Sequence, residues 1–278
     1  MNREPFLSIL VVGPTERREF VEARAALGRF GRVVDVPTTR AAREILRQEG
    51  FVADLIVVAQ AFPGQFSPAS IDRLRAASPV SRILGLMGSW CEGEMRTGAP
   101  WPAVIRAYWH QWIPRAGRQC LQLRQGNTSG WALPVTAGEE ERLLADVEVV
   151  PPTRGGLAVI TTWHFMMYDW LAEACRRAGM SSVWTRPGDA LCAEEVGVVL
   201  FDGTECTEDE AVEIGRLAER FAPAPVVALL DFPRVEDRDR ARLAGAMAVI
   251  SKPLALEDLY WHLDANRQPP VPESDAGT

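Results

Sequence analysis

An acid and a lysine near the C-terminus each stand at the end of a short apolar segment. Residues 198–201 lead into Asp202, and residues 248–251 lead into Lys252. Both segments have the continuous apolar composition of strands that are buried in a parallel sheet. Because the carboxyl ends of parallel strands lie at one edge of the sheet, the carboxylate and the ammonium are expected to meet there. The simplest chemistry for such neighbours is an ion pair between the two charges.

A second group of reactive side chains lies between residues 88 and 112, together with four of the 9 tryptophans of the chain. Cys91 and His110 could form a thiolate–imidazolium pair. Glu92 and Glu94 would then be further catalytic or metal-binding groups. We find no paired ligand motif such as C-x-x-C or H-x-x-x-H, and this argues against a metal or catalytic site.

The same segment has two other interpretations. In the first, it is a protein-docking surface, because Trp and Arg are enriched at binding hot spots. The residues of that surface would be Trp90, Trp101, Trp109 and Trp112 as anchors, with Glu94 and Arg96 at the rim. In the second, the tryptophans cover the sheet and pack against the rest of the chain. We favour docking, because the segment follows a predicted fourth strand, and open α/β sheets bind ligands at the carboxyl ends of their strands.

The order of the predicted elements repeats along the chain. Strand and helix patterns alternate over residues 7–87, and the same alternation returns over residues 156–266. This alternation predicts parallel sheets with helices on both faces. We therefore predict two tandem flavodoxin-like, doubly wound α/β domains over residues 1–125 and 155–268. Residues 126–154 are predicted to be a linker, and the proline-containing residues 269–278 a disordered tail.

Composition excludes several classes of function. The net charge of −7 argues against binding nucleic acid through a basic surface. No apolar run reaches the roughly 18 residues of a membrane-spanning helix, and the N-terminus has no secretory signal pattern. The 5 cysteines are odd in number and scattered, as expected for reduced thiols in the cytoplasm.

Residues 155–268 resemble the receiver domain of two-component signalling. The resemblance rests on Phe201-Asp202-Gly203, on Pro225 at the start of the fourth strand, on residues 244–246 before the fifth, and on Lys252-Pro253 after it. It implies that Asp202 is equivalent to the phosphoacceptor of receivers. It also implies that Lys252 is equivalent to the lysine that pairs with the phosphorylated acid.

The other functional positions of a receiver are degenerate in this half. They are Thr161 and Thr162 in place of the acid pair that holds Mg²⁺, Leu230 in place of the hydroxyl switch, and Val249 in place of the aromatic switch. A hard divalent cation prefers carboxylate oxygens, so Asp202 alone is not expected to hold Mg²⁺. Asp231 or Glu205 could supply a missing ligand.

The first half resembles a receiver less closely. Gly13 and Pro14 occupy the predicted acid-pair positions, and Ala59 stands where the phosphoacceptor should be. Without an acid at residue 59, this half cannot undergo aspartyl phosphorylation. The resemblance therefore implies a pseudo-receiver that is kept for its surface.

These observations predict a non-enzymatic signalling or regulatory protein of the cytoplasm that acts through protein–protein contacts, without a cofactor or a metal. By analogy with receivers, the contact face would lie around Leu243, Ala246, Leu254 and Tyr260, and the two halves or two copies could pack through it. One alternative is a working phosphorelay receiver that is phosphorylated on Asp202. The other is a ligand-binding protein or enzyme that uses Cys91 and His110.

Overall fold

The computed structural model describes residues 6–48, 51–94, 98, 101–102, 104–126, 130–134, 136–138, 141–142 and 155–264. The chain divides into two compact units, Met1–Val149 and Val150–Thr278. Within the described residues, we find no helix with the length and apolar character needed to cross a membrane. Arg96 and residues 269–278 lie outside the described part, as does most of the predicted linker.

The first unit alternates strands and helices. Its strands are β1 Leu7–Val12, β2 Gly31–Val36, β3 Leu55–Gln60, β4 Arg82–Met87 and β5 Ile105–Tyr108, and its helices are α1 Arg18–Leu27, α2 Thr39–Leu46, α3 Pro68–Ala77 and α4 Trp112–Arg124. The side chains of Thr38 and Ser67 accept hydrogen bonds from backbone N–H groups in the first turns of α2 and α3. These caps fix where the two helices begin.

The second unit also contains five strands and four α-helices among its described residues, with the helices placed differently between the strands. Its strands are β6 Leu157–Thr161, β7 Ser181–Thr185, β8 Val196–Asp202, β9 Val226–Asp231 and β10 Ala246–Lys252, and its helices are α5 Phe165–Arg177, α6 Glu208–Arg220, α7 Val235–Leu243 and α8 Leu256–Leu263. Residues 186–195 connect β7 to β8 without a helix.

Each unit contains one five-stranded parallel sheet. The strand orders are β2-β1-β3-β4-β5 and β7-β6-β8-β9-β10. This is the flavodoxin-like order, in which the topological switch point lies between the first and third strands. The prediction of two doubly wound α/β domains is confirmed. In the second unit, the switch point is at the carboxyl ends of β6 and β8, where Thr162 and Asp202 lie.

Helix α4 was not predicted from the sequence. The signals were present. Pro114 falls in the first turn, where proline is tolerated because that N–H has no partner within the helix. Trp112, Ala116 and Cys120 recur at helical spacing and are buried.

Part of the predicted linker belongs to the first unit. Trp131 is buried, its ring lies 5.9 Å from that of Trp112, and its backbone N–H donates to the Gln119 side chain. The Arg82 guanidinium donates to the backbone carbonyls of Trp131 and Ala132. Residues 130–134 therefore complete the packing around α4.

Acid conditions are expected to destabilise the second unit through His262 on α8. Burial, and then the charge of Arg242, lower the pKa of His262 from 6.5 to about 4. The unfolded chain therefore binds a proton that the folded chain rejects. The free energy of unfolding is at its full value above pH 6.5, and it decreases as the pH falls toward 4. For a half-buried side chain, we expect this decrease to be about 1–3 kcal/mol.

The measurement is urea unfolding of the wild type and of His262→Gln at several pH values between 7 and 4.5. We expect the midpoint to fall more steeply with acid in the wild type than in the variant. Equal slopes would show that His262 makes no contribution to the acid sensitivity.

Candidate functional site

The candidate site lies at the carboxyl edge of the second sheet, where β8, β9 and β10 end. Asp202 is the last residue of β8 and its side chain is 5% exposed. Lys252 ends β10, and its Nζ lies 2.6 Å from Oδ1 of Asp202. The same ammonium donates to the backbone carbonyl of Gly203 at 2.8 Å. The sequence prediction that Asp202 and Lys252 meet at this edge agrees with the geometry.

The second oxygen of the Asp202 carboxylate is also occupied. The hydroxyl of Thr162, the residue after β6, donates to Oδ2 of Asp202 at 2.7 Å. The Thr162 oxygen in turn accepts the backbone N–H of His164, which orders the start of α5. Thr161 is buried, and its hydroxyl has no hydrogen-bond partner in the described part of the chain. Where receivers have an acid pair, this chain therefore has one threonine bonded to Asp202 and one buried threonine.

A third acid contacts the lysine. Asp231 ends β9, and one of its carboxylate oxygens lies 3.1 Å from Lys252 Nζ. Asp231 is half exposed, and Glu205 is exposed. Among the described residues, no group of three or more His, Cys, Asp and Glu side chains is arranged to hold a metal ion. Asp231 is thus a second partner of Lys252.

Local turns hold these strand ends together. Glu210 in the first turn of α6 accepts the backbone N–H groups of Thr204 and Thr207, and the Thr207 side chain accepts the N–H of Glu210. This reciprocal arrangement is a capping box. The backbone carbonyl of Thr204 also accepts the N–H of Asp231 at 2.8 Å. The loop after Asp202 is therefore fixed to the end of β9.

The two switch positions carry apolar side chains that pack. Leu230 is fully buried, and its Cδ2 lies 3.0 Å from the place where a Cβ on Gly203 would be. Val249 is partly buried against the apolar cluster beneath α6 and α7. Neither side chain can donate or accept a hydrogen bond. The site therefore contains no hydroxyl or aromatic group at these positions that could respond to a phosphoryl oxygen.

The strand registers correct one assignment in the first unit. Val12 pairs with the last residue of β2 and with β3, as Thr161 pairs with the last residue of β7 and with β8. Gly13 and Thr162, the next residues, each donate a backbone hydrogen bond to that last residue of the edge strand. Val12 and Gly13 are therefore equivalent to Thr161 and Thr162. The assignment of Pro14 is wrong by one position.

The equivalent of the Asp202 site is closed by apolar side chains in the first unit. Ala59 lies in β3 in the register that Asp202 has in β8, because Val12 and Thr161 pair with the residues just before them. A Cβ on Gly13 would lie 2.5 Å from the Ala59 carbonyl oxygen and 3.4 Å from the ring of Phe66. Any side chain at residue 13 is therefore excluded. The indole N–H of Trp101 donates to the Phe66 carbonyl, and the two rings meet edge to face.

Three of the four predicted docking anchors are buried. Trp101 and Trp109 are each 4% exposed, and Trp112 is fully buried at the start of α4. Only Trp90 among the four is open to solvent, at 74%. The prediction that all four form an exposed docking surface is wrong for these three, because β5 and α4 turn the segment inward. The alternative that they pack against the rest of the chain describes them correctly.

The polar residues of that segment form a buried cluster. Gln60 ends β3 and donates to the Cys91 sulfur at 3.6 Å and to the Glu94 carboxylate at 3.2 Å. Arg106 of β5 forms an ion pair with Glu94. Gln60 and Arg106 were not predicted from the sequence, although a glutamine at the end of the apolar run 55–59 indicates a polar group at the strand end. The cluster ties β3, β4 and β5 together at their carboxyl ends.

Cys91 and His110 have different partners. The Cys91 thiol donates to the Gln60 carbonyl at 3.4 Å, whereas His110 Nε2 lies 3.4 Å from the Glu92 carboxylate. Burial raises the pKa of the Cys91 thiol. A nucleophilic cysteine requires the opposite, a lowered pKa in a partly exposed position. The structure therefore does not support a reactive thiolate–imidazolium pair at Cys91 and His110.

Thiol labelling of the native protein should find one reactive cysteine. Cys192 is exposed, whereas Cys91, Cys120, Cys175 and Cys206 are buried, and burial raises the pKa values of Cys120 and Cys175 to about 12. We expect one equivalent to react with a disulfide reagent about 100-fold faster than the others, and Cys192→Ser to abolish this phase. Peptide mapping that showed Cys91 reacting as fast as Cys192 would contradict the burial of Cys91.

The predicted receiver contact face is only partly accessible. Leu243 is 90% exposed at the end of α7, but Ala246 and Tyr260 are each 4% exposed, and Leu254 is half-buried. Ala246 and Tyr260 are therefore core residues and cannot form a contact surface. The larger exposed apolar groups of this unit, at residues 163–170 and at Phe232, were not predicted.

No protein-family model matches the chain, and no curated protein matches it at a significant level. Solved structures show only low similarity. A probable two-component system response regulator/GGDEF domain protein is 16% identical, with a TM-score of 0.35, over 92% of this chain and 96% of the other. The C-terminal part of Escherichia coli RcsC, with a linker region and a phosphoreceiver domain, is 13% identical, with a TM-score of 0.32, over 92% and 90%. D-2-hydroxyisocaproate dehydrogenase is 9% identical, with a TM-score of 0.27, over 91% and 92%.

Proposed function

We propose that this chain is a non-enzymatic signalling or regulatory protein of the cytoplasm. Its two receiver-like units act through protein contacts and do not use aspartyl phosphorylation. The observation that carries this proposal is the state of Asp202, whose two carboxylate oxygens are held by Thr162 and Lys252. Phosphorylation requires attack by one of these oxygens and usually a bound divalent cation that neutralises the incoming phosphoryl group.

The donor set around Asp202 supports this proposal. Mg²⁺ requires near-octahedral oxygen ligands and is usually bound by one or two carboxylates. Thr162 offers a neutral hydroxyl that already donates to Asp202, and Asp231 is directed at Lys252. The lysine has two carboxylates and a carbonyl as partners, so it is held in place without a phosphoryl group.

The first unit supports the same proposal, because it has no acid at the position equivalent to Asp202. Its equivalent positions are Gly13 and Ala59, and the space above them is filled by Phe66. Neither unit combines an acid, a metal site and a free hydroxyl switch within its described residues. What both units retain is the fold and its surface.

Phe232 is the candidate contact residue nearest the closed site. It follows Asp231, is 67% exposed, and has a backbone φ of 43°. A bulky residue in this left-handed region is strained by about 1–3 kcal/mol, and such strain concentrates at functional positions. The Phe232 N–H donates to the Lys252 carbonyl at 3.4 Å, so the closed site supports the placement of this exposed ring.

A phosphorelay receiver remains the second candidate function, because Asp202 and Lys252 are both present and lie 2.6 Å apart. The two candidates differ in whether partner binding depends on the Asp202 carboxylate. Partner proteins would be cross-linked and captured from cells of the source organism with three baits: the wild type, Asp202→Asn and Phe232→Ser.

We expect the wild type and Asp202→Asn to capture the same partners in similar amounts, and Phe232→Ser to lose them. Asp202→Asn keeps the hydrogen bond from Thr162 and leaves Lys252 paired with Asp231, so the variant should fold. Loss of the partners from Asp202→Asn alone would favour the phosphorelay function.

A further inference from the structure

One end of helix α5 presents large apolar side chains that the second unit leaves uncovered. Met166 and Trp170 lie four residues apart on one helix face, and Trp163, just before the helix, extends this face toward the carboxyl end of the sheet. These three residues, called the α5 stripe below, are 77%, 42% and 62% exposed. Contiguous exposed apolar residues of this size usually mark a binding surface.

A rigid aromatic wall borders the α5 stripe. Phe165 packs edge to face against Trp184 at 5.5 Å, and Tyr168 stacks on the same indole at 5.7 Å. The Trp184 N–H donates to the Thr162 carbonyl at 2.9 Å, and the Arg186 guanidinium lies over the indole ring. The wall is thus ordered by hydrogen bonding and stacking, and it ends in an exposed positive charge.

Helix α8 lies near the C-terminal end of α5, where Glu173 and Arg177 are partly exposed. Glu173 and Arg177 continue the spacing of Met166 and Trp170 along α5. Burial raises the pKa of the Tyr260 phenol on α8, and the nearby charges of Arg177 and Glu173 also act on it. Helix α8 ends at Leu263. The chain that follows Leu263 therefore starts near the C-terminal end of α5.

The sequence of that following segment suits an aromatic surface. Residues 267–273 read Arg-Gln-Pro-Pro-Val-Pro-Glu. Segments rich in proline favour the polyproline II conformation, and they dock on aromatic-lined surfaces at a low cost in conformational entropy. Residues 269–272 in this conformation span about 9–12 Å, at about 3.1 Å per residue. This length matches the rise of about 10 Å between residues 163 and 170 of a helix.

The distances also allow the segment to reach. Residues 163 and 177 are separated by about 21 Å along a helix axis. The eight steps from Asp264 to Pro272 span about 26 Å when the chain is extended. Residues 269–272 can therefore lie along the α5 stripe. Glu273 and Asp275 would then follow at the end where Arg186 is exposed, so the charges are complementary.

We propose that Pro269–Pro272 of the same chain docks on the α5 stripe formed by Trp163, Met166 and Trp170. The docked segment covers the exposed aromatic side chains and holds acidic residues near Arg186. Partners that need the α5 stripe then compete with the chain's own C-terminal segment. This proposal does not depend on whether Asp202 is phosphorylated.

The test is paramagnetic broadening in the full chain. A nitroxide is attached at Ser274→Cys in a background with Cys192→Ser, because the other cysteines are buried. The protein is labelled with 5-fluorotryptophan, and the ¹⁹F signals of Trp163 and Trp170 are assigned from Trp163→Phe and Trp170→Phe. We expect the nitroxide to remove most of the intensity of both signals, and chemical reduction of the label to restore it.

The matched control replaces Pro269, Pro270 and Pro272 with alanine, which keeps the chain length and charge. We expect the triple variant to recover most of the lost intensity. Two outcomes would overturn the proposal. One is equal broadening in the parent and the triple variant, and the other is broadening that appears only when spin-labelled and fluorinated chains are different molecules. The second outcome would identify another copy of the chain as the occupant.

Discussion

Replacing Lys252 with methionine is expected to lower the free energy of unfolding of the second unit by about 3 kcal/mol. The Lys252 side chain is 13% exposed, and it is the ion-pair partner of Asp202, whose side chain is 5% exposed. Removing the ammonium leaves a buried carboxylate whose remaining hydrogen bond comes from Thr162. An uncompensated buried charge costs more than the intact pair contributes. Urea unfolding followed by circular dichroism measures the change.

Asp202→Asn is the control, because Lys252 has other partners besides Asp202. In Asp202→Asn, Lys252 keeps Asp231 and the Gly203 carbonyl as partners, so we expect a loss of only about 1–2 kcal/mol. In the double variant Asp202→Asn with Lys252→Met, no buried charge is unpaired. We expect the double variant to be more stable than Lys252→Met alone. Additive losses in the double variant would show that Asp202 and Lys252 are not coupled.

Replacing Trp112 with alanine is expected to destabilise the first unit by about 3–5 kcal/mol. Trp112 is the largest fully buried side chain at the start of α4, and its ring packs 5.9 Å from that of Trp131. Truncation leaves a cavity between α4 and residues 130–134, and this removes dispersion contacts that water cannot replace. The same unfolding measurement, with tryptophan fluorescence as a second probe, checks the prediction.

Trp90→Ala is the matched control, because Trp90 lies in the same segment but is 74% exposed. We expect it to change stability by no more than about 0.5 kcal/mol. Equal effects of the two substitutions would contradict the inward turn of this segment. A large effect of Trp90→Ala alone would identify Trp90 as the buried member of the group.

The repeated strand order followed from the sequence because a buried parallel strand has a simple local signature. Residues 55–59 are continuously apolar and fully buried, and residues 82–87 were predicted with the bounds that β4 has. Asp202 and Lys252 were predicted to meet because both are strand ends. Strand ends of a parallel sheet share one edge whatever the details of the loops.

The predictions that were wrong concern features that depend on three-dimensional packing. A tryptophan supplies the same composition whether its ring is a docking anchor or a core residue, so Trp101, Trp109 and Trp112 could not be assigned from residue type. Tyr260 and Ala246 failed for the same reason. The hydrogen bond from Thr162 to Asp202 could not be predicted, because no spacing of residues in the sequence indicates that a hydroxyl donates to a carboxylate. Asp231 was considered as a metal ligand, whereas it forms an ion pair with Lys252.

The most direct test of the closed Asp202 site is to incubate the protein with acetyl phosphate and Mg²⁺ and to measure its intact mass. Asp202→Ala and a receiver that is known to accept phosphate from acetyl phosphate are treated in parallel. We expect no gain in mass in the wild type while the control receiver is modified, because Thr162 and Lys252 occupy both carboxylate oxygens. A gain of one phosphoryl group that maps to Asp202 and is absent from Asp202→Ala would contradict a phosphate-independent function.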